Sequence, residues 1–228
     1  MREHETQLPK VHLEPFGRIR SVCAATEPRL TWFHDDGMGY YPVTETPYDQ
    51  TYFDKYVEMG KTTIGKQLND FRVQTVNAFF PHDRLIDIGI GCGDFIQARD
   101  KMGHGYFTTG YDVNPVAIDW LLKRGLFTDP YNCYPQAVSF WDSFEHINEP
   151  ELLLNRVRSY VFMSIPIFRD LNHAANSKHF RPDEHYWYFT DSGLIMAMLA
   201  NGFNCVWHST METAMGREDI GSYVFKRI

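Results

Sequence analysis

An apolar strand runs directly into a glycine turn at Leu85-Ile86-Asp87-Ile88-Gly89-Ile90-Gly91-Cys92-Gly93-Asp94-Phe95. A second strand end, Gly110-Tyr111-Asp112-Val113-Asn114-Pro115, places a carboxylate 23 residues beyond Gly89. In an open α/β sheet, a glycine-rich strand-to-helix turn with an acid about 20 residues on holds a nucleoside. Glycines let the backbone approach the ligand, and the carboxylate accepts hydrogen bonds from the two ribose hydroxyls. Here the spacing is G-x-G-x-G after Asp87, not the G-x-G-x-x-G of dinucleotide sites, which argues against a nicotinamide cofactor. Further groups capable of chemistry stand later in the chain: Trp141, Asp142, Glu145 and His146 after a third strand, and His185 beside Tyr186 in an aromatic stretch.

Regular elements must carry these residues. From Asp49 to Phe80, Ile64, Leu68, Phe71, Val76 and Phe79 form one helical apolar stripe, with Gly60 and Gly65 marking a kink near Thr62-Thr63 and Pro81-His82-Asp83 an end. Strands are expected at 84–88, 108–111, 137–141, 160–165, 203–207 and 223–227, and helices at 95–102, 115–124, 150–157 and 191–200, the last opening on an acidic cap at Asp191. Leu126-Phe127-Thr128 is the remnant available for one more strand. Repeated β-α units of this length predict a parallel sheet with helices on both faces. No helical pattern separates the last two strands, so the final one is expected to run antiparallel. Residues 1–47 hold no clean periodicity beyond two short strand patterns, Leu30–Phe33 and Tyr40–Val43, around Asp35-Asp36-Gly37.

The order of these features resembles the class I S-adenosylmethionine-dependent methyltransferases over residues 48–228. The resemblance rests on the acidic-x-G-x-G-x-G turn at Asp87–Gly93, on Asp112 at the next strand end, and on Phe140-Trp141-Asp142-Ser143-Phe144-Glu145-His146-Ile147, which looks like the small-molecule branch. It implies a Rossmann-like three-layer sandwich with a mostly parallel seven-stranded sheet and an antiparallel last strand. Residues 1–47 then form an extension and 48–80 a helical cap on the domain. S-adenosyl-L-methionine is the implied cofactor. Asp87, Gly89, Gly91 and Gly93 would lie under its methionine end, and Asp112 with Val113 and Asn114 at its ribose. Asp129 in Thr128-Asp129-Pro130-Tyr131 would receive the adenine amine, and Trp141 or Asp142 would contact the methionine portion or adenine edge. His146 and His185 are the implied acid–base candidates. Tyr48, Tyr52 and Tyr186 are expected around the acceptor, where aromatic faces favour a sulfonium.

The formal charge of −7 lacks the basic balance of a phosphate-backbone binder, so a small-molecule acceptor is expected and nucleic acid is not. A non-catalytic nucleoside-binding protein of the same fold and a nucleic-acid methyltransferase remain the alternatives. Cys23, Cys92, Cys133 and Cys205 are scattered without a C-x-x-C pair, and Glu145-His146 has no nearby acid except Glu149, so no metal set is expected. Reduced cysteines and a polar first segment, Met1-Arg2-Glu3-His4-Glu5, predict a cytoplasmic protein with no membrane partner. The acceptor atom and the oligomeric state are not specified by sequence.

Overall fold

A computed structural model describes residues 15–24, 29–42, 48–81, 83–103 and 108–228. Most of the polar N-terminus, Val43 of the second expected strand and His82 lie outside the described residues. From the N-terminus come α1 (Pro15–Cys23), strands β1 (Thr31–Phe33) and β2 (Met38–Tyr40), and helices α2 (Gln50–Lys61) and α3 (Thr63–Phe79). The alternating portion follows: β3 (Leu85–Ile88), α4 (Asp94–Lys101), β4 (Thr108–Tyr111), α5 (Pro115–Leu122), β5 (Ala137–Trp141), α6 (Pro150–Leu154) and β6 (Tyr160–Pro166). The chain closes with α7 (Leu171–Asn176), β7 (Trp187–Phe189), α8 (Asp191–Ala200), β8 (Phe203–Ser209), α9 (Met211–Ala214) and β9 (Ile220–Arg227).

The main sheet has the order β4-β3-β5-β6-β9-β8. Its first four strands are parallel, whereas β9 runs antiparallel to both β6 and β8. All four residues of β3 are buried, as expected of a strand covered on both faces. Alternation along the strands sorts the core. Ile86, Ile88, Val138 and Phe140 pack with Phe16 and Ile19 of α1 and Leu194 of α8. Leu85, Ala137 and Phe162 pack with Val73 and Val76 of α3 and Phe95 of α4. Successive strands leave β3 in opposite directions, first to β4 and then to β5, which opens a crevice beyond their carboxyl ends.

Among the described residues the sheet has six strands rather than the expected seven. Leu126–Thr128 makes only a single parallel bridge, Gly110 to Phe127, with Gly110 N–H donating to Leu126 O and Thr128 N–H to Gly110 O. Asp129 then caps a short 3₁₀ turn, Pro130–Asn132, and ends the pairing. The expected acidic cap of α8 is also replaced: the Thr190 hydroxyl accepts from Gly193 N–H, while Asp191 accepts from the Tyr223 hydroxyl.

Two elements exceed the expectation. The extension contains α1, whose Phe16, Ile19 and Cys23 bury one face. Three residues in a nine-residue helix are too short a stripe to read as a period. The hairpin β1–β2 is extended by β7 from far along the chain, giving a second sheet of order β1-β2-β7. Helices α2 and α3 follow the expected break, with Thr62 closing α2 and capping α3 through Gly65 N–H.

Candidate active site

The turn from β3 to α4 sits at the mouth of the crevice. Gly89 and Gly91 have φ of +76° and +58°, a region in which side chains are strained. A Cβ on Gly89 would stand 2.5 Å from the Ser143 Cβ, so this close approach of the turn to the β5 end requires glycine. Gly93 lines neither neighbouring cavity; it packs against the Trp120 ring, so its place is structural.

Asp112 follows β4 and is 9% exposed. Its carboxylate accepts from Asn114 N–H at 2.8 Å and from Gly91 N–H at 3.3 Å, binding the two strand ends together. Burial pushes its pKa up, and the N–H groups of Asn114, Gly91, Val113 and Ile90 work against that shift. Asn114 caps α5 through Val116 N–H and donates its side-chain amide to Asp49 O, which fixes the start of α2. Val113 is exposed at the rim.

Two cavities flank the turn. The first, about 300 Å³, is lined by Asp112, Val113, Asn114, Tyr111 and Tyr131 at one end and by Tyr48, Tyr52 and Tyr186 over it. The second, about 210 Å³, is lined by Asp87, Glu145, His179, Arg181 and His185. Tyr56, Gly89, Gly91, Trp141, Asp142 and His146 line both, so the cavities meet at the glycine turn. Of the three tyrosines expected around an acceptor, all stand on the Asp112 side. Tyr48 hydroxyl lies 2.8 Å from His146 Nδ1, and Tyr52 and Tyr56 hydroxyls are 3.2 Å apart. Burial raises all three phenol pKa values, which keeps these hydroxyls protonated.

Asp87 is fully enclosed, accepts from the Ser139 hydroxyl at 2.7 Å, and is pushed up to about 7 by burial. Asp142 has φ of +57° and a carboxylate occupied by Arg217, at 2.8 and 2.9 Å, and by Arg72 at 2.9 Å. Burial opposes its ionisation, yet the Arg217 and Arg72 guanidiniums hold its carboxyl well below the usual range. Both arginines also pair with buried Glu212, which accepts from the Ser164 hydroxyl. The Asp142 carboxylate is therefore a structural anion, and its backbone and Trp141 form the wall between the cavities. The Trp141 ring packs on Phe95 at 5.1 Å and under Arg72 at 5.2 Å.

Asp129 does not reach the first cavity. Its two oxygens accept from Tyr131 N–H and from the Asn132 amide, and it is Tyr131, two residues on, that lines that cavity. Arg72, Arg217 and Glu212 were not foreseen. Arg72 did carry a signal, since it lies on the apolar stripe of α3 between Leu68 and Val76; a charge there implies a buried partner.

His146 and His185 meet edge to face with ring centroids 4.6 Å apart. Burial pushes His146 down to about 4 and His185 well below its ordinary value, so both imidazoles are neutral at pH 7. Beside them, Glu145 is 1% exposed and its carboxyl is raised well above the usual range by burial and then by the Asp142 charge.

A family model described as a methyltransferase domain matches residues 61–208, from the end of α2 to β8. The chain belongs to this methyltransferase family. It is a class I S-adenosylmethionine-dependent methyltransferase. Solved structures share the fold at low identity. A SAM-dependent methyltransferase from Archaeoglobus fulgidus superposes with a TM-score of 0.56 at 15% identity, over 77% of this chain and 100% of that one. Another from Clostridium acetobutylicum gives 0.54 at 12% identity, over 77% and 98%. Magnesium protoporphyrin IX methyltransferase from Synechocystis PCC 6803, solved with bound SAH, gives 0.53 at 13%, over 79% and 96%. No curated protein sequence matches this methyltransferase. Among its described residues no helix is long and apolar enough to cross a membrane.

Proposed function

We propose that this methyltransferase acts on a small-molecule acceptor that enters the second cavity while the cofactor occupies the first. The observation that carries the reading is the meeting of the two cavities at Gly89, Gly91 and His146. The site fits the cofactor on its own features: a glycine turn at positive φ whose bare backbone lines both cavities, and a buried carboxylate on Asp112 facing a 300 Å³ cavity. Bound S-adenosylmethionine supplies an electrophilic methyl group on a sulfonium.

In this assignment Asp112 accepts from the ribose hydroxyls, and Val113, Asn114 and Tyr131 flank the adenine. Gly89 and Gly91 pass beneath the methionine portion, whose ammonium end reaches through the junction toward Asp87 on the wall of the second cavity. Trp141 and the Asp142 backbone wall the methyl-transfer junction. The protonated hydroxyls of Tyr48, Tyr52 and Tyr56 close the site over the cofactor and exclude water from the sulfonium. Alignment of acceptor and methyl along one line is worth about 7–11 kcal/mol of the barrier. His146 and His185 are the proton acceptors nearest the junction. Their depressed pKa values make them available but weak bases, which suits an acceptor whose proton is already acidic. Asp129 has no part in the assignment.

The net charge of −7 supports a small molecule over a nucleic acid. Incubation with S-adenosylmethionine and a panel of phenols, carboxylic acids, amines and thiols, read as S-adenosylhomocysteine formed, tests the reading. Turnover on a small molecule with no salt-sensitive nucleic-acid binding supports it. Turnover on DNA or RNA alone overturns it.

A further inference from the structure

We propose that Glu145, His146 and His185 form a binding site for a divalent transition-metal ion on the wall of the second cavity. One ligand atom from each residue lies within 4.8 Å of the others, and all three residues line that cavity. Two neutral nitrogens and one carboxylate oxygen suit zinc, iron, cobalt or manganese better than magnesium or calcium, which prefer oxygen alone.

The set is assembled by two distant segments. Glu145 and His146 come from the 3₁₀ turn Phe144–His146 after β5, and His185 precedes β7. Tyr186 N–H donates to Glu145 O at 2.9 Å, which clamps the second segment onto the first. The sequence hid the arrangement because 40 residues separate Glu145 from His185.

Three observations point to a ligand. Glu145 Oε2 is buried without a hydrogen-bond partner among the described residues. Glu145 Oε1 faces His185 Nε2 at 4.0 Å, too far for a hydrogen bond. The Tyr48 hydroxyl engages His146 Nδ1 at 2.8 Å, which leaves Nε2 as the free donor atom, as an outer hydrogen bond does for a metal-bound histidine. Two ligands at 2.0–2.1 Å from one ion stand at most about 4.2 Å apart, so modest side-chain rotation must draw the set inward. Arg181 opposes a cation here, and its pairing with Glu184 at 3.2 Å offsets that. Arg217 is neutralised by Asp142 and Glu212.

Both imidazoles would give a ring nitrogen to the ion. With the ion bound they serve as ligands rather than bases. An acceptor oxygen on the ion would become acidic enough to need no strong base. The proposal does not depend on the acceptor's identity.

The test uses the full chain, stripped with chelator and titrated with Co²⁺. Uptake of one ion per chain with visible d–d absorption is expected. Glu145→Gln and His185→Ala should each abolish the band and weaken Co²⁺ at least tenfold, and Tyr48→Phe should weaken it by roughly tenfold. S-adenosylhomocysteine affinity, measured on the same samples, reports an intact fold and tests the cofactor assignment separately. If His185→Ala does not fold, the near-isosteric Glu145→Gln decides. No stoichiometric uptake, or uptake unchanged in Glu145→Gln, overturns the proposal.

Discussion

Replacement of Asp112 by alanine probes the ribose contact directly. In the assigned complex its carboxylate accepts from two sugar hydroxyls, and a hydrogen bond to a charged group is worth about 1.5–3 kcal/mol. The substitution also strips the acceptor from Gly91 N–H and Asn114 N–H. That loss is common to free and bound protein and largely cancels in the affinity. Water entering the vacated volume recovers part of the rest. A net loss of about 2–4 kcal/mol remains, or roughly 30-fold to several-hundredfold in Kd. Asp112→Asn retains the shape but offers a neutral acceptor, so it should lose about tenfold. Calorimetric titration with S-adenosylhomocysteine measures both, and circular dichroism confirms the fold. An Asp112→Ala protein that is folded and binds within threefold of the parent refutes the ribose assignment.

Asp87→Asn should stabilise the free protein and weaken cofactor binding. Burial raises the folded pKa of Asp87 from 3.8 to about 7, so the folded state holds this proton more tightly than the unfolded one. Its contribution to stability therefore falls as pH rises between those values, by roughly 4 kcal/mol across the window. The variant's gain in Tm over the parent should grow from pH 4 to pH 7, and an unchanged difference contradicts the linkage. Arg217→Met leaves Asp142 and Glu212 buried with one cation between them; urea unfolding should show a loss of about 3–5 kcal/mol. Gly89→Ala combines a positive φ with a clash on Ser143 and should cost about 2–4 kcal/mol, seen as a lower Tm. Gly125→Ala, with φ of +65° and open space around it, should lose only the conformational share.

The glycine turn and Asp112 were legible because both lie in one β-α-β unit, where spacing alone places them. The parallel strands and the antiparallel end followed from their apolar runs and from the connections between them. Local patterns misled where a side chain had two uses. Asp129 could cap its own turn or face the cofactor, and the nearby Tyr131 N–H took it. Leu126–Thr128 looked like a strand but had room for only one bridge before that turn. Long-range partners were invisible for a different reason. Asp142 stands 70 residues from Arg72 and 75 from Arg217, and nothing local says that two guanidiniums will converge on it. Separation along the chain likewise hid β7, which joins β2 from far downstream.

The central claim is that the crevice beyond β3 and β4 seats the nucleoside, with its sulfur at the junction of two cavities. A crystal structure of the complex with S-adenosylhomocysteine tests it most directly. Both ribose hydroxyls are expected within hydrogen-bond distance of the Asp112 carboxylate, with the sulfur facing the second cavity beside His146. A ribose bound elsewhere, with Asp112 turned to solvent, would contradict it.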